Sequence, residues 1–244
     1  MPCAAIRARL STVLQPHCGG LQPGRAPPLV RAGSPALEAV AYHPPMAATT
    51  SQAVSALPFT GNPEADRLLV DEPLALLIGF VLDQQIQLQM AFSGPLELKR
   101  RIGSLDAGRI AAMDPATLEE AFRRRPALHR FPGSMGRRTQ ELCAALVRDY
   151  GGDPSRVWNE ARDGRDLKAR LLGLPGIGEM KAATLVAILT RRLGVRPPGW
   201  EDVLPKHPTL GDVDSPEALT RYQEGKRAHK AEIRAQQAES GRRK

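Results

Sequence analysis

Between residues 171 and 189 the chain reads LLGLPGIGEMKAATLVAIL. Two apolar segments of helical period flank Leu174-Pro175-Gly176-Ile177-Gly178, the pattern of a helix-hairpin-helix. Gly176 and Gly178 bracket one apolar residue, so the chain can turn through positive φ, bring bare backbone against an anion and aim its N–H groups outward. Ile177 is the expected anchor into the core. The helix that follows, over 179–192, presents its N-terminus and positive dipole end to the same anion, and Lys181 adds a charge nearby. That chemistry suits a phosphate. A plain helix-turn-helix corner uses the same Pro and Gly, but the apolar flanks carry the pattern further than a corner needs. Such a grip fixes a protein on DNA and reads no bases.

Other groups could meet phosphate too. Arg137 and Arg138 follow Gly133-Ser134-Met135-Gly136 at an expected helix N-terminus, where amides and guanidinium groups can share one anion. Arg123, Arg124 and Arg125 form the densest basic run of the body, although at a helix end such a run is ordinarily a solvated terminus. His129, in ALHRFPG, reads as a core residue.

The elements that must hold these groups all read as helices, and the fold class is all-α. Asn62-Pro63-Glu64 is an N-cap with Pro at the first helical position, and Asp71-Glu72-Pro73 repeats the device before LALLIGFVLDQQIQLQMAF, an apolar helix in two parts. Helices follow from Asp106 to Met113, from Asp114-Pro115 to Phe122, from Ser134 to Tyr150 with a Gly-Gly stop, and from Asp163 to Leu172. Residues 57–195 form this body, 196–215 a Pro-rich loop, and 216–244 a basic helix or tail, docked in part, with a frayed end. Residues 1–56, rich in Pro, Gly, Ala and Ser and without sustained period, read as a disordered extension or an over-extended gene start.

The net charge of +8 points to a polyanion, but its distribution weakens the argument. Residues 1–50 contribute +3 and the last 24 contribute +5, leaving residues 51–220 formally neutral. Affinity for DNA in the body must then come from local clusters. Cys3, Cys18 and Cys143 lack CxxC spacing, and His17, His43, His129, His207 and His229 lack ligand-like spacing, so no metal site and no iron-sulfur cluster is expected. The longest apolar run, 73–82, falls well short of a membrane span. A cytoplasmic monomer without cofactor, nucleoid-associated if bacterial, is the expectation.

Three blocks in order, LLIGFVLDQQIQ at 76–87, HRFPGSMGRRTQELCAAL at 129–146 and LLGLPGIGEMKAATLVAIL at 171–189, resemble the helix-hairpin-helix DNA glycosylase superfamily (HhH-GPD). The resemblance spans residues 58 to about 195 and is closest to an actinobacterial-type subgroup of HhH-GPD proteins. It implies two helical subdomains flanking a cleft for double-stranded DNA, a nucleotide flipped into a pocket between them, and hydrolysis of the base–sugar bond. It also implies that the helix bearing Gln84 and Gln85 reaches the duplex, where an amide can donate and accept.

The catalytic groups the resemblance implies are displaced here. A lysine nucleophile in the hairpin's second helix would fall on Met180, with Lys181 one residue further and rotated away, so Schiff-base lyase chemistry is not expected. The implied aspartate falls around Pro198–Trp200 in GVRPPGWEDVL. Asp202, after the Pro-rich turn and next to Trp200, is the candidate acid, and Asp83 is a second if the chemistry sits on the cleft's other wall. Three functions stay open: a monofunctional glycosylase of base-excision repair, a non-catalytic module that binds damaged or unusual DNA after losing the acid, and a helical interaction scaffold.

Overall fold

The computed structural model describes the backbone of residues 54–242 and the side chains of residues 54–234. The expectation for residues 1–56 therefore lies almost wholly outside the described residues. Ten α-helices follow in order: α1 (Pro63–Asp71), α2 (Pro73–Leu82), α3 (Leu88–Ile102), α4 (Ala107–Ala112), α5 (Pro115–Arg123), α6 (Pro132–Tyr150), α7 (Arg156–Asn159), α8 (Gly164–Leu172), α9 (Glu179–Arg191) and α10 (Pro216–Arg242). Two 3₁₀ turns, Trp200–Val203 and Leu210–Asp212, lie between α9 and α10. There is no strand among the described residues, so the chain is all-α.

Local chemistry sets most of the helix starts. Asn62 accepts from the amides of Glu64 and Ala65, Asp106 from that of Arg109, Asp114 from that of Thr117 and Asp163 from that of Asp166, each satisfying donors that a first helical turn leaves open. Gly103 and Gly151 stop α3 and α6 in the left-handed conformation that a side chain resists. Pro132 opens α6 two residues earlier than the Gly-rich text implied, because its fixed φ is already helical.

Helix α2 is apolar all round and buried from Leu74 to Leu82, with α1, α3 and α6 packed about it. Phe59, Phe80 and Phe92 meet edge-on with centroids 5.3 and 5.2 Å apart. Gly79 lies so close to Phe92 that a Cβ there would sit 2.6 Å from the ring. Helix α6 lies across α4 and α5, and the Gln140 amide donates to the Met113 carbonyl at 2.6 Å, closing the end of α4. The buried Arg101 guanidinium donates to the carbonyls of Ala121, Arg124 and Pro126, fixing the chain that leaves α5.

Residues 196–215 are more than a loop. Leu210 and Val213 are buried, and Gly211 approaches α9 so closely that a Cβ would lie 2.5 Å from the Ala187 carbonyl carbon. The terminal helix docks through its first two turns: Leu219 is buried, Ala218 and Tyr222 pack on the core, and residues 224–234 are exposed. No helix of the described residues is long and apolar enough to cross a membrane.

Candidate functional site

The turn joining α8 to α9 rests on two apolar pegs, Leu174 and Ile177, both buried, with the Ile177 amide donating to the Leu174 carbonyl at 3.1 Å. Of its glycines only Gly176 takes positive φ, at +82°. A Cβ there would also come within 3.3 Å of Val81 near the end of α2, so both conformation and close approach call for glycine. Gly178 differs. Its φ is −92° and a Cβ would meet nothing within 4 Å. Neither its own backbone nor a protein neighbour demands glycine at 178, which leaves clear space in front of the α9 N-terminus. No side chain caps that end, and Gly176, Gly178, Glu179 and Met180 are all exposed.

The break between α2 and α3, residues 83–87, comes up beside this turn. Asp83 closes α2, and Gln84 is held at three points: its Nε2 donates to the Val81 carbonyl at 2.8 Å, its Oε1 accepts from Arg138 at 2.5 Å, and its backbone oxygen accepts from His129 Nε2 at 2.8 Å. The His129 ring, 1% exposed, also takes the Phe131 amide on Nδ1 at 3.0 Å. The expected core histidine is therefore the brace that ties the break to the start of α6. Gln85, next along, is exposed and has φ of +56°, the only non-glycine at positive φ among the described residues. Bracing on one side and a left-handed backbone on the other hold it outward.

Charges gather at the junction. Lys181 is half-buried and donates from Nζ to the Gly176 carbonyl at 3.4 Å, while Met180, where the resemblance would have a nucleophilic lysine, is 65% exposed. Burial lowers the Lys181 pKa, the Asp83 carboxylate opposes that, and Arg138 reinforces it. Burial raises the Asp83 pKa above the ordinary carboxylate value, against the pull of Lys226 on α10 and then of Lys181. Tyr222, also on α10, has its hydroxyl pushed up to about 12 by burial and by the negative charges of Asp83 and Asp212. Between the break and α10 lies an open groove of about 430 Å³ with Asp83, Ile86, Leu88, Tyr222 and Lys226 among its walls.

Asp202 is elsewhere. It is exposed in the 3₁₀ turn Trp200–Val203, which packs against the beginning of α8, where the Gly164 amide donates to the Pro198 carbonyl at 2.9 Å. The Gly176 turn lies at the other end of α8, and a nine-residue helix is about 13 Å long. Trp200 takes the Arg196 guanidinium 5.4 Å from its ring centroid. Asp212 pairs with Arg191 and caps Thr209.

Gly176, Ile177, Gly178, Lys181, Gln84 and Arg138 are thus brought to one junction, with Gln85 projecting beside it. Arg137 is exposed in the second turn of α6 rather than at its N-terminus. Arg123 pairs with Glu119 and Glu120, as a solvated helix end does. Sequence reasoning missed Phe131, 44% exposed with the Arg130 guanidinium 4.8 Å from its ring centroid, and Tyr222, whose only signal was its place in the first apolar turns of α10. Compared with protein-family models, curated proteins and solved structures, the chain matches none.

Proposed function

We propose that this chain binds double-stranded DNA along the edge formed by the α8–α9 turn, the α2–α3 break and the start of α6, and that it acts in base-excision repair as a monofunctional DNA glycosylase. On this reading the helices form two subdomains flanking a cleft, and α8–turn–α9 is the helix-hairpin-helix. Amides of the open α9 N-terminus take one phosphate, with Lys181 and Arg138 adding charge. Gln85 and the exposed Phe131 are the side chains available to fill a gap left by an extruded base.

One observation carries the reading: a half-buried carboxylate, Asp83, sits beside the phosphate-gripping turn with its basicity raised by burial. Such a group can stabilise positive charge on the sugar and take a proton from water. Water then bonds to the anomeric carbon, the C–N bond breaks, and its electron pair leaves with the base. The expected acid thus shifts from Asp202 to Asp83. A second reading, a non-catalytic binder of damaged DNA, draws on the exposed position of Asp202 at the far end of α8.

A panel of lesion-bearing duplexes, treated with alkali to reveal abasic sites and assayed in parallel for binding, separates the two. Base release that disappears in Asp83→Asn supports the first. Salt-sensitive binding without release from any duplex supports the second, and absence of binding removes both. Strand cleavage without alkali, trapped by borohydride on Lys181, would replace hydrolysis by amine attack.

A further inference from the structure

We propose that the groove between the α2–α3 break and α10 receives the extruded base, that α10 supplies its outer wall, and that it selects bases whose rings carry carbonyl groups and leave as delocalised anions. The inference rests on the DNA reading above and adds to it a helix, a pocket and a substrate class.

Shape comes first. Ile86 and Leu88 give the groove an apolar side from the break, and the Tyr222 ring gives it an aromatic side from α10. A flat heterocycle fits between surfaces of this kind. Tyr222 belongs to the segment of α10 that packs on the core, whereas residues 224–234 are exposed. The docked part of the helix is therefore the part that walls the groove.

Charge then narrows the occupant. Asp83 lies at one end of the groove, and Lys226 and Arg227 line it from α10. Lys226 lies 5.4 Å from the Tyr222 ring centroid, over the surface on which a base would stack. Lysine and arginine donate and never accept, so they satisfy ring carbonyls and leave an exocyclic amine unpaired. When the C–N bond breaks, a carbonyl-bearing base spreads the departing electron pair onto its oxygens, and an ammonium beside them is worth most at that moment. A base already alkylated to a cation gains nothing there and meets Lys226, Arg227 and Lys181 as like charges. Gln87, on the same wall, offers an amide to a ring N–H, which leaves Asp83 free for the sugar.

The test uses the full chain and three duplexes identical except at one position: uracil, 7-methylguanine, or an unmodified base. Binding is read by competition and base release by alkali. The intact chain should release uracil in preference to 7-methylguanine. Lys226→Ala, which leaves Leu219 and Tyr222 in place to dock α10, should slow uracil release about tenfold or more and slow 7-methylguanine release less. Tyr222→Ala should lose about tenfold in discrimination between the uracil and unmodified duplexes, and Tyr222→Phe should keep it. Preference for 7-methylguanine, or equal effects of Lys226→Ala on both lesions, overturns the proposal while duplex binding persists. If the intact chain binds no duplex at any salt concentration, the DNA reading falls first and the pocket with it.

Discussion

The α8–α9 pair has two ends built on opposite principles. At the far end, backbone meets backbone: a Cβ on Gly164 would lie 2.5 Å from the Gly199 oxygen, and Gly211 is pressed as closely against Ala187 in the flank of α9. At the near end Gly178 faces nothing, the α9 amides lack a cap, and a carboxylate and an ammonium sit half-buried against one another's preference for water. One end uses glycine to close the structure, the other to leave it open. Acids differ in the same way: Asp202 is exposed at the closed end, and Asp83 is desolvated at the open one. A function that needs an altered carboxylate and vacant amides belongs to the near end.

The largest break in this comparison should come from Asp83→Asn, which on the glycosylase reading lowers base release by about 10²–10⁴-fold while retaining DNA binding, measured by alkali-revealed abasic sites. Gly164→Ala and Gly211→Ala should each cost about 1–3 kcal/mol, because the added methyl meets backbone that cannot swing aside, and urea denaturation will report the loss. Gly178→Asp should leave stability within about 0.5 kcal/mol yet weaken duplex binding about tenfold, by setting a negative charge where a phosphate would lie. Asp202→Asn, at a solvated position, should change stability by less than about 0.5 kcal/mol and leave base release intact; loss of release would restore Asp202 as the acid.

Acidity sharpens the comparison without DNA. The Asp83 pKa is raised in the folded chain, so in the window above its ordinary value the native state holds more protons than the unfolded one, and stability falls as pH rises through that window. Asp83→Asn removes this loss. The variant should melt higher than the parent at pH 7, with the gain vanishing once the solution is acidic enough to protonate the carboxyl in both states. Asp202→Asn serves as the comparison from the closed end.

Much of the fold was legible. Asn62, Asp106, Asp114 and Asp163 declare their helix starts because capping is local chemistry, written within three or four residues of sequence. The break inside LALLIGFVLDQQIQLQMAF could be read as two helices, but not the left-handed turn at Gln85, which depends on His129 and Arg138 from another part of the chain. The same limit applies to Asp83: spacing shows an acid beside two glutamines, and only packing shows that Lys181 and Lys226 face it. Residues 196–215 read as a loop from their prolines, while the burial of Leu210 and Val213 follows from a groove along α9 that no local pattern encodes.

Gly176 leans on Val81, and Asp83 stands two residues further along the same backbone. Whatever grips the turn therefore pushes on the strut that carries the acid. A ligand held loosely, or in a skewed register, would leave that strut where it rests; a well-seated one would shift it. Anchorage and reactivity share a single hinge point, so a methyl at 176 should uncouple them even in a chain that still folds and still adheres.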